Sequence, residues 1–324
     1  MKTITLEEHY LSPGYADGPG RNLRENAKRG GDRMAKVFEQ LADLGKNRIA
    51  LMDEAGIDMQ VLSIQSPGTE QLEASEAIKV ARETNDFLVD AVNKYPDRFA
   101  GFATLSTADP DKAVKELEIM VQKHGFKGAV INGHIKGRYL DDKFFWPILE
   151  CAEKLNVPIY LHPTLPPKPV IDTYYGGFSP EVTNILARAG LGWHIETAVH
   201  VLRLIMSGAF DKYPKLQIII GHLGEGLSFM LERIDNNMSQ KVTGLKRRTA
   251  NYLRENVYYT FGGFNFTPTF LNLLFEVGAD RIMFSADHPY GSMAKARAFL
   301  EQLPVSTADK EKIAHGNAEH LLKL

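Results

Sequence analysis

Ile4-Thr-Leu-Glu-Glu-His9 is a short apolar and β-branched run that ends in two carboxylates and an imidazole. Such a run reads as a strand, and the residues after it choose between two parallel α/β architectures. A doubly wound nucleotide-binding sheet would carry G-x-G-x-x-G directly after this strand, and residues 11–33 carry no such motif. The same unit, an apolar run leading into a longer helical pattern, recurs down the chain. Further strands are read at 59–64, 99–105, 128–132, 157–161, 217–220, 257–260 and 282–285. Helical spacing fills the intervals, as in 34–54, 72–93 and 143–155. Asp109-Pro110 gives one of these helices an N-cap and a first-turn proline. Eight strands, each succeeded by helix, predict an α/β fold of the (β/α)8 TIM-barrel type. No linker or repeat divides the chain, so residues 1–324 are expected to form one barrel domain. Two stretches without a clear period, 13–33 and 163–180, come after strands and are expected to be loop insertions over the catalytic face.

Composition narrows the function from outside. The 38 Lys and Arg against 40 Asp and Glu leave a net charge of -2 with no basic block, which argues against nucleic acid and anionic membrane as partners. Glu7, Glu8 and His9 interrupt the first ten residues, so no apolar signal-peptide core is read there. No run approaches the length of a membrane span, and a cytoplasmic protein is expected. The single Cys151 can form neither an internal disulfide nor a thiolate metal cage. The G-x-S-x-G elbow, the P-loop and C-x-x-C are all missing, which leaves covalent acyl chemistry without support.

A barrel turns the C-terminal ends of its strands into one mouth. Glu7 and His9 end the first strand, His162 the fifth, His222 the sixth and Asp287 the eighth. Two-residue alternation puts Glu7 and His9 on one face and Glu8 on the other. Glu7, His9, His162 and Asp287 then form a two-carboxylate, two-imidazole set suited to one divalent metal ion. Zinc or manganese is favoured, and magnesium is disfavoured by the imidazoles without being excluded. His222 opens Gly221-His-Leu-Gly-Glu-Gly226. A helix starting near Leu223 would hold Glu225 in its first turn, within reach of the His222 ring. A His–Glu pair of this kind suits general acid–base work; a strand-end His beside a helix-initiating Glu is the plainer reading.

The remaining histidines divide by position. His194 and His200 flank Glu196 without the H-E-x-x-H spacing, and they read as structural together with His124, His315 and His320. His134 and His288 come after strands and border the mouth. The aromatic cluster Tyr258, Tyr259, Phe261, Phe264 and Phe266 is read as part core and part pocket wall.

The motif set resembles the aromatic-acid decarboxylase branch of the amidohydrolase superfamily, of the gamma-resorcylate and dihydroxybenzoate decarboxylase kind. The matching segments are Leu6-Glu-Glu-His9, Leu51-Met-Asp-Glu-Ala-Gly-Ile57, Leu161-His-Pro163, Glu196-Thr-Ala-Val-His200, Gly221-His-Leu-Gly-Glu-Gly226, Arg233-Ile-Asp235 and Ser285-Ala-Asp287. The resemblance implies a metal-bearing barrel of amidohydrolase type that removes CO2 from an ortho-hydroxy aromatic acid. It puts Glu7, His9, His162 and Asp287 on the metal positions and His222 with Glu225 on the catalytic pair. Arg233 falls near the substrate pocket, or else serves in a salt bridge. His288 stands where the family often has an aromatic residue. His288 and Phe264 are therefore candidate substrate contacts beside Arg233. The expected partner is a small aromatic carboxylic acid, with no organic cofactor, in a homodimer or homotetramer. Asp287 would donate the proton to the ring carbon that bears the carboxylate. The alternative is a metal-dependent lactone or amide hydrolase on the same ligands, with Asp287 accepting a proton from water.

Overall fold

The apolar runs form parallel strands in the computed structural model, which describes residues 1–29 and 31–324. They are β1 (Ile4–Tyr10), β2 (Met59–Ile64), β3 (Phe99–Gly101), β4 (Ala103–Thr104), β5 (Ala129–Asn132), β6 (Ile159–His162), β7 (Ile218–Ile220), β8 (Val257–Thr260) and β9 (Ile282–Met283). Sequential strands pair in parallel as β1-β2-β3 and as β4 through β9. The expected third strand is cut in two at Phe102. Its amide donates to Leu62 O at 2.9 Å, while that of Ala103 donates to Gly128 O at 2.8 Å. One stretch thus serves β2 with its first half and β5 with its second, which reduces nine segments to eight staves. A parallel bridge between Leu6 and Ser285 links β1 to the residues after β9, and Leu6 N donates to Phe284 O at 3.2 Å. The fold is the (β/α)8 TIM barrel. Strands such as Ile218-Ile-Ile220 are buried throughout, as expected for parallel strands covered by helices on one face and filled by side chains on the other.

The helix Pro110–His124 obeys its sequence signals closely. The Asp109 carboxylate accepts from Lys112 N, and Gly125 closes the helix at φ 71°. Elsewhere the periodic reading ran too far or stopped too soon. Residues 34–54 are not one helix but parts of Gly31–Ala42 and Lys46–Ala55. The break falls where the Asp43 carboxylate accepts from Gly45 N at 2.8 Å and Arg48 N at 3.1 Å and so starts the second helix. The stretch 13–33, expected to be loop, carries the helices Pro13–Asp17 and Arg21–Arg29 and the start of Gly31–Ala42; Gly30 lies outside the described residues. Gly18 and Gly20 chop this stretch into pieces shorter than a periodicity window. It folds over the ends of β1 and β2: the Tyr15 hydroxyl donates to Gln65 O and accepts from Gly68 N. The stretch 163–180 likewise contains helical turns at Lys168–Val170 and Ile171–Tyr175. Among the described residues no helix is long and apolar enough to cross a membrane.

Candidate active site

β1 reaches its chemistry through a bulge rather than by plain alternation. Its register against β2 shifts between Thr5 and Glu8, and Glu7 sits at φ 65°. An extra residue at a strand end re-aims a side chain. Glu7 and His9 consequently both enter the mouth, while Glu8 turns to the outer side and accepts from Ala286 N at 2.8 Å and Gln60 Nε2 at 3.0 Å. Burial pushes the Glu8 carboxyl up to about 8.

The four expected ligands converge with His222. Glu7 Oε2 accepts from Tyr160 Oη at 2.6 Å and from Thr260 Oγ1 at 2.9 Å. Glu7 Oε1 is buried with no hydrogen-bond partner, 3.6 Å from His222 Nε2 and 3.8 Å from His162 Nε2. His9 Nε2 is 3.3 Å from Asp287 Oδ1, and the His9 and His162 rings meet edge-on at 4.7 Å. Burial lowers His9 to about 4 and His162 to about 3, so both rings are neutral with lone pairs available at physiological pH. Burial, and then the Glu7 carboxylate, raise Asp287 well above the usual carboxylate range. An orphaned anionic oxygen among neutral imidazoles, with a second carboxylate alongside, is a donor set that fits a divalent cation. Asp287 is the most open of the four: its side chain is 20% exposed, against 6% or less for Glu7, His9 and His162.

Two glycines make room for Glu7. A Cβ on Gly221 would stand 2.5 Å from Glu7 Oε1. One on Gly262, at φ 52°, would stand 2.5 Å from His222 N and 2.7 Å from Glu7 Oε2. Five of the eight non-glycine residues with left-handed φ among the described residues belong to this region: Glu7, His222, Leu223, Glu225 and Asp287. Such conformations cost about 1–3 kcal/mol each and persist where surrounding structure enforces them.

His222 Nδ1 lies 2.7 Å from Glu225 Oε1, the expected pair, but the support differs from expectation. The next helix starts at Leu227, not near Leu223, because residues 222–226 all take left-handed φ. Glu225 thus precedes the helix and is held by imidazoles instead. Its other oxygen, Oε2, is 2.6 Å from His194 Nδ1. His194, read from sequence as structural, therefore belongs to the site. Burial would lower His222, but the Glu225 and Glu7 carboxylates prevail and raise it to about 10. Burial would raise Glu225, but His222 and His194 bring it down to about 2. The half-buried Phe264 ring stands 5.2 Å from both imidazoles.

Other candidates lie elsewhere. His288 comes directly after Asp287 and faces the opposite way, lining a cavity of about 360 Å³ with Arg48, Asp43 and Glu54. That cavity lies behind β1, where Arg48 Nη1 donates to His9 O at 2.8 Å. Arg233 is exposed on the helix Leu227–Asn237, and among the described residues its guanidinium makes no ion pair. His200 is structural as read: its Nε2 accepts from Leu140 N at 2.9 Å. His134 accepts from Gly137 N at 3.0 Å and holds a loop. Sequence reading missed Tyr160, which alternation could have found two residues before His162. It also missed Tyr290, whose ring stands 6.1 Å from that of His9.

The profile of the amidohydrolase family matches residues 36–324. The chain belongs to this family. It is 39% identical to a gamma-resorcylate decarboxylase of Polaromonas sp., over 99% of this chain and 98% of that protein. A crystal structure of dihydroxybenzoic acid decarboxylase from Polaromonas sp., with bound manganese and the inhibitor 2-nitroresorcinol, superposes at a TM-score of 0.90. It is 38% identical and matches over 100% of this chain and 97% of that one. A 2,6-dihydroxybenzoate decarboxylase complexed with 2,6-dihydroxybenzoate also gives 0.90, at 36% identity over 100% of both chains. The amidohydrolase match covers eight of the nine strand segments, β2 through β9, while Glu7 and His9 on β1 precede it.

Proposed function

We propose that this chain is a metal-dependent, non-oxidative carboxy-lyase acting on an aromatic acid with a hydroxyl ortho to its carboxylate. The observation that carries the reading is the partly exposed Asp287 carboxyl, set between a cation-fitting donor set and a buried His–Glu pair. Full-length relatives named as decarboxylases of dihydroxybenzoates support it. Glu7, His9, His162 and Asp287 would hold one divalent ion, with manganese favoured by the relative that binds it and zinc also suited to the donors. When bound, the ion supplies a positive centre that fixes a carboxylate and its neighbouring phenolic oxygen.

The chain's own residues supply the rest. Asp287 donates a proton to the ring carbon that bears the carboxylate, and a C–H bond forms at the cost of aromaticity. The C–C bond to the carboxylate then breaks, its electron pair returns to the ring, and CO2 leaves. Asp287, now a carboxylate, regains a proton from water through the open side of the site. Burial, Glu7 and the anionic substrate favour the protonated Asp287 that starts this sequence, against the pull of His222 and of a bound cation. His222, kept cationic by Glu225, holds or lends a proton at the phenolic oxygen as CO2 leaves and negative charge returns there. Phe264 packs along the ring. The apolar residues Phe178, Val182, Ile185, Leu191, Ile195 and Val199, all 42% exposed or more, support a homodimer or homotetramer that would cover them.

The deciding experiment incubates manganese- or zinc-loaded protein with 2,6-dihydroxybenzoate and related ortho-hydroxybenzoates and measures CO2. Release from at least one of them is expected. No CO2 from any, alongside turnover of lactones, would replace this reading with the hydrolase. Gly262→Ala tests the site geometry: its Cβ meets backbone as well as Glu7, so turnover should fall about 10²-fold. Wild-type kcat in that variant would show that the close packing around Glu7 does not matter.

A further inference from the structure

Glu225 stands in a strained turn, at φ 56° between Gly224 at 92° and Gly226 at 80°, where no helix orients its side chain. Its carboxylate is nevertheless held at both oxygens. Oε1 takes His222 Nδ1 at 2.7 Å and Oε2 takes His194 Nδ1 at 2.6 Å, with all three side chains buried. The two imidazoles meet edge-on at 4.5 Å, and Phe264 packs on both. His194 is itself anchored: its Nε2 lies 3.1 Å from the Trp193 indole N–H and 3.3 Å from Ala189 O, and Nδ1, facing the Glu225 carboxylate, bears a proton.

Two chemistries could explain such a cluster. A cation bound by all three residues would hold its ligand atoms roughly 3.3 Å apart, as tetrahedral bonds of about 2 Å require. The observed separations are shorter, and each imidazole engages a different carboxylate oxygen. Charge-assisted hydrogen bonds have these lengths. We infer that His194 is a positioning residue of the active site: it clamps the second oxygen of Glu225 and thereby fixes the orientation of His222. This extends, and rests on, the acid–base role proposed for His222. Without the clamp, Glu225 Oε2 is left buried and unpaired, and the carboxylate is free to rotate away from the ring or admit water.

His194→Phe keeps the ring volume against Phe264 but removes the donor, while His194→Asn retains an N–H near the Nδ1 position. Two low-field imidazole N–H resonances are expected in the wild-type proton NMR spectrum, identified by their separate loss in His194 and His222 variants. In His194→Phe the His222 resonance should shift and broaden; in His194→Asn it should stay near its wild-type position. Turnover should change in step: kcat falls about 10- to 100-fold in the Phe variant with KM within about twofold, and the Asn variant regains most of the loss. An unmoved His222 resonance in His194→Phe would overturn the inference, as would equal kcat losses in the two variants. The NMR arm needs no substrate. If the wild type releases no CO2, it still decides the clamp while the decarboxylase reading fails separately.

Discussion

Asp287→Asn is expected to abolish turnover, with kcat at least about 10³-fold down and the fold retained. The amide has the shape and nearly the volume of the carboxyl, which stands 3.3 Å from His9 Nε2, so little packing is lost. The transferable proton disappears: a carboxamide N–H is far too weak an acid to protonate an aromatic carbon. Because Asp287 is also one of two carboxylates in the donor set, the substitution removes half of the set's negative charge. Two measurements separate these effects. Elemental analysis after metal loading reports the ligand role, and single-turnover CO2 release from fully loaded protein reports the proton. Loaded variant with undetectable turnover assigns the proton to Asp287; loaded variant within tenfold of wild type would remove it from that role.

The barrel was legible because each stave is a short apolar run that ends in a residue too polar for the run to continue. Glu7, His162, His222 and Asp287 are all such endings, and a parallel barrel brings endings together however far apart they lie in sequence. Legibility failed where local geometry departs from regular period. The bulge at Glu7 leaves no mark in composition, although its result, Glu7 and His9 inward and Glu8 outward, is what simple alternation predicted. Residues 222–226 looked like the start of a helix because Gly, Leu and Glu are all allowed there. Only the backbone shows five consecutive left-handed conformations. His194 was hidden for a different reason. It lies in the first turn of the helix Gly192–Met206, just after the irregular turn Leu186–Gly190, so no spacing rule connects it to Glu225, 31 residues away. His288 shows the converse error: Asp287 lies past the end of β9 at φ 58°, and the turn there sends its neighbour into the cavity beside Arg48.

His222→Ala should lower kcat by about 10²–10⁴-fold, the range for loss of a positioned acid or base. The ring is the part of the His–Glu pair that faces the chemistry, with Nε2 3.6 Å from Glu7 Oε1 and Nδ1 committed to Glu225. Its removal also strands Glu225, leaving His194 as the imidazole still bound to that carboxylate, so thermal unfolding must be tracked beside activity. A folded, metal-loaded variant with wild-type kcat would show that Asp287 alone manages the proton. Combining it with His194→Phe sharpens the outcome. If His194 acts only by orienting His222, it has nothing to orient once that ring is gone, and the double variant should match His222→Ala alone. If His194 carried protons or touched substrate independently, the two losses would multiply. Non-additivity is the signature of a residue that works through another, and the edge-on rings on one carboxylate predict that this cycle does not close additively.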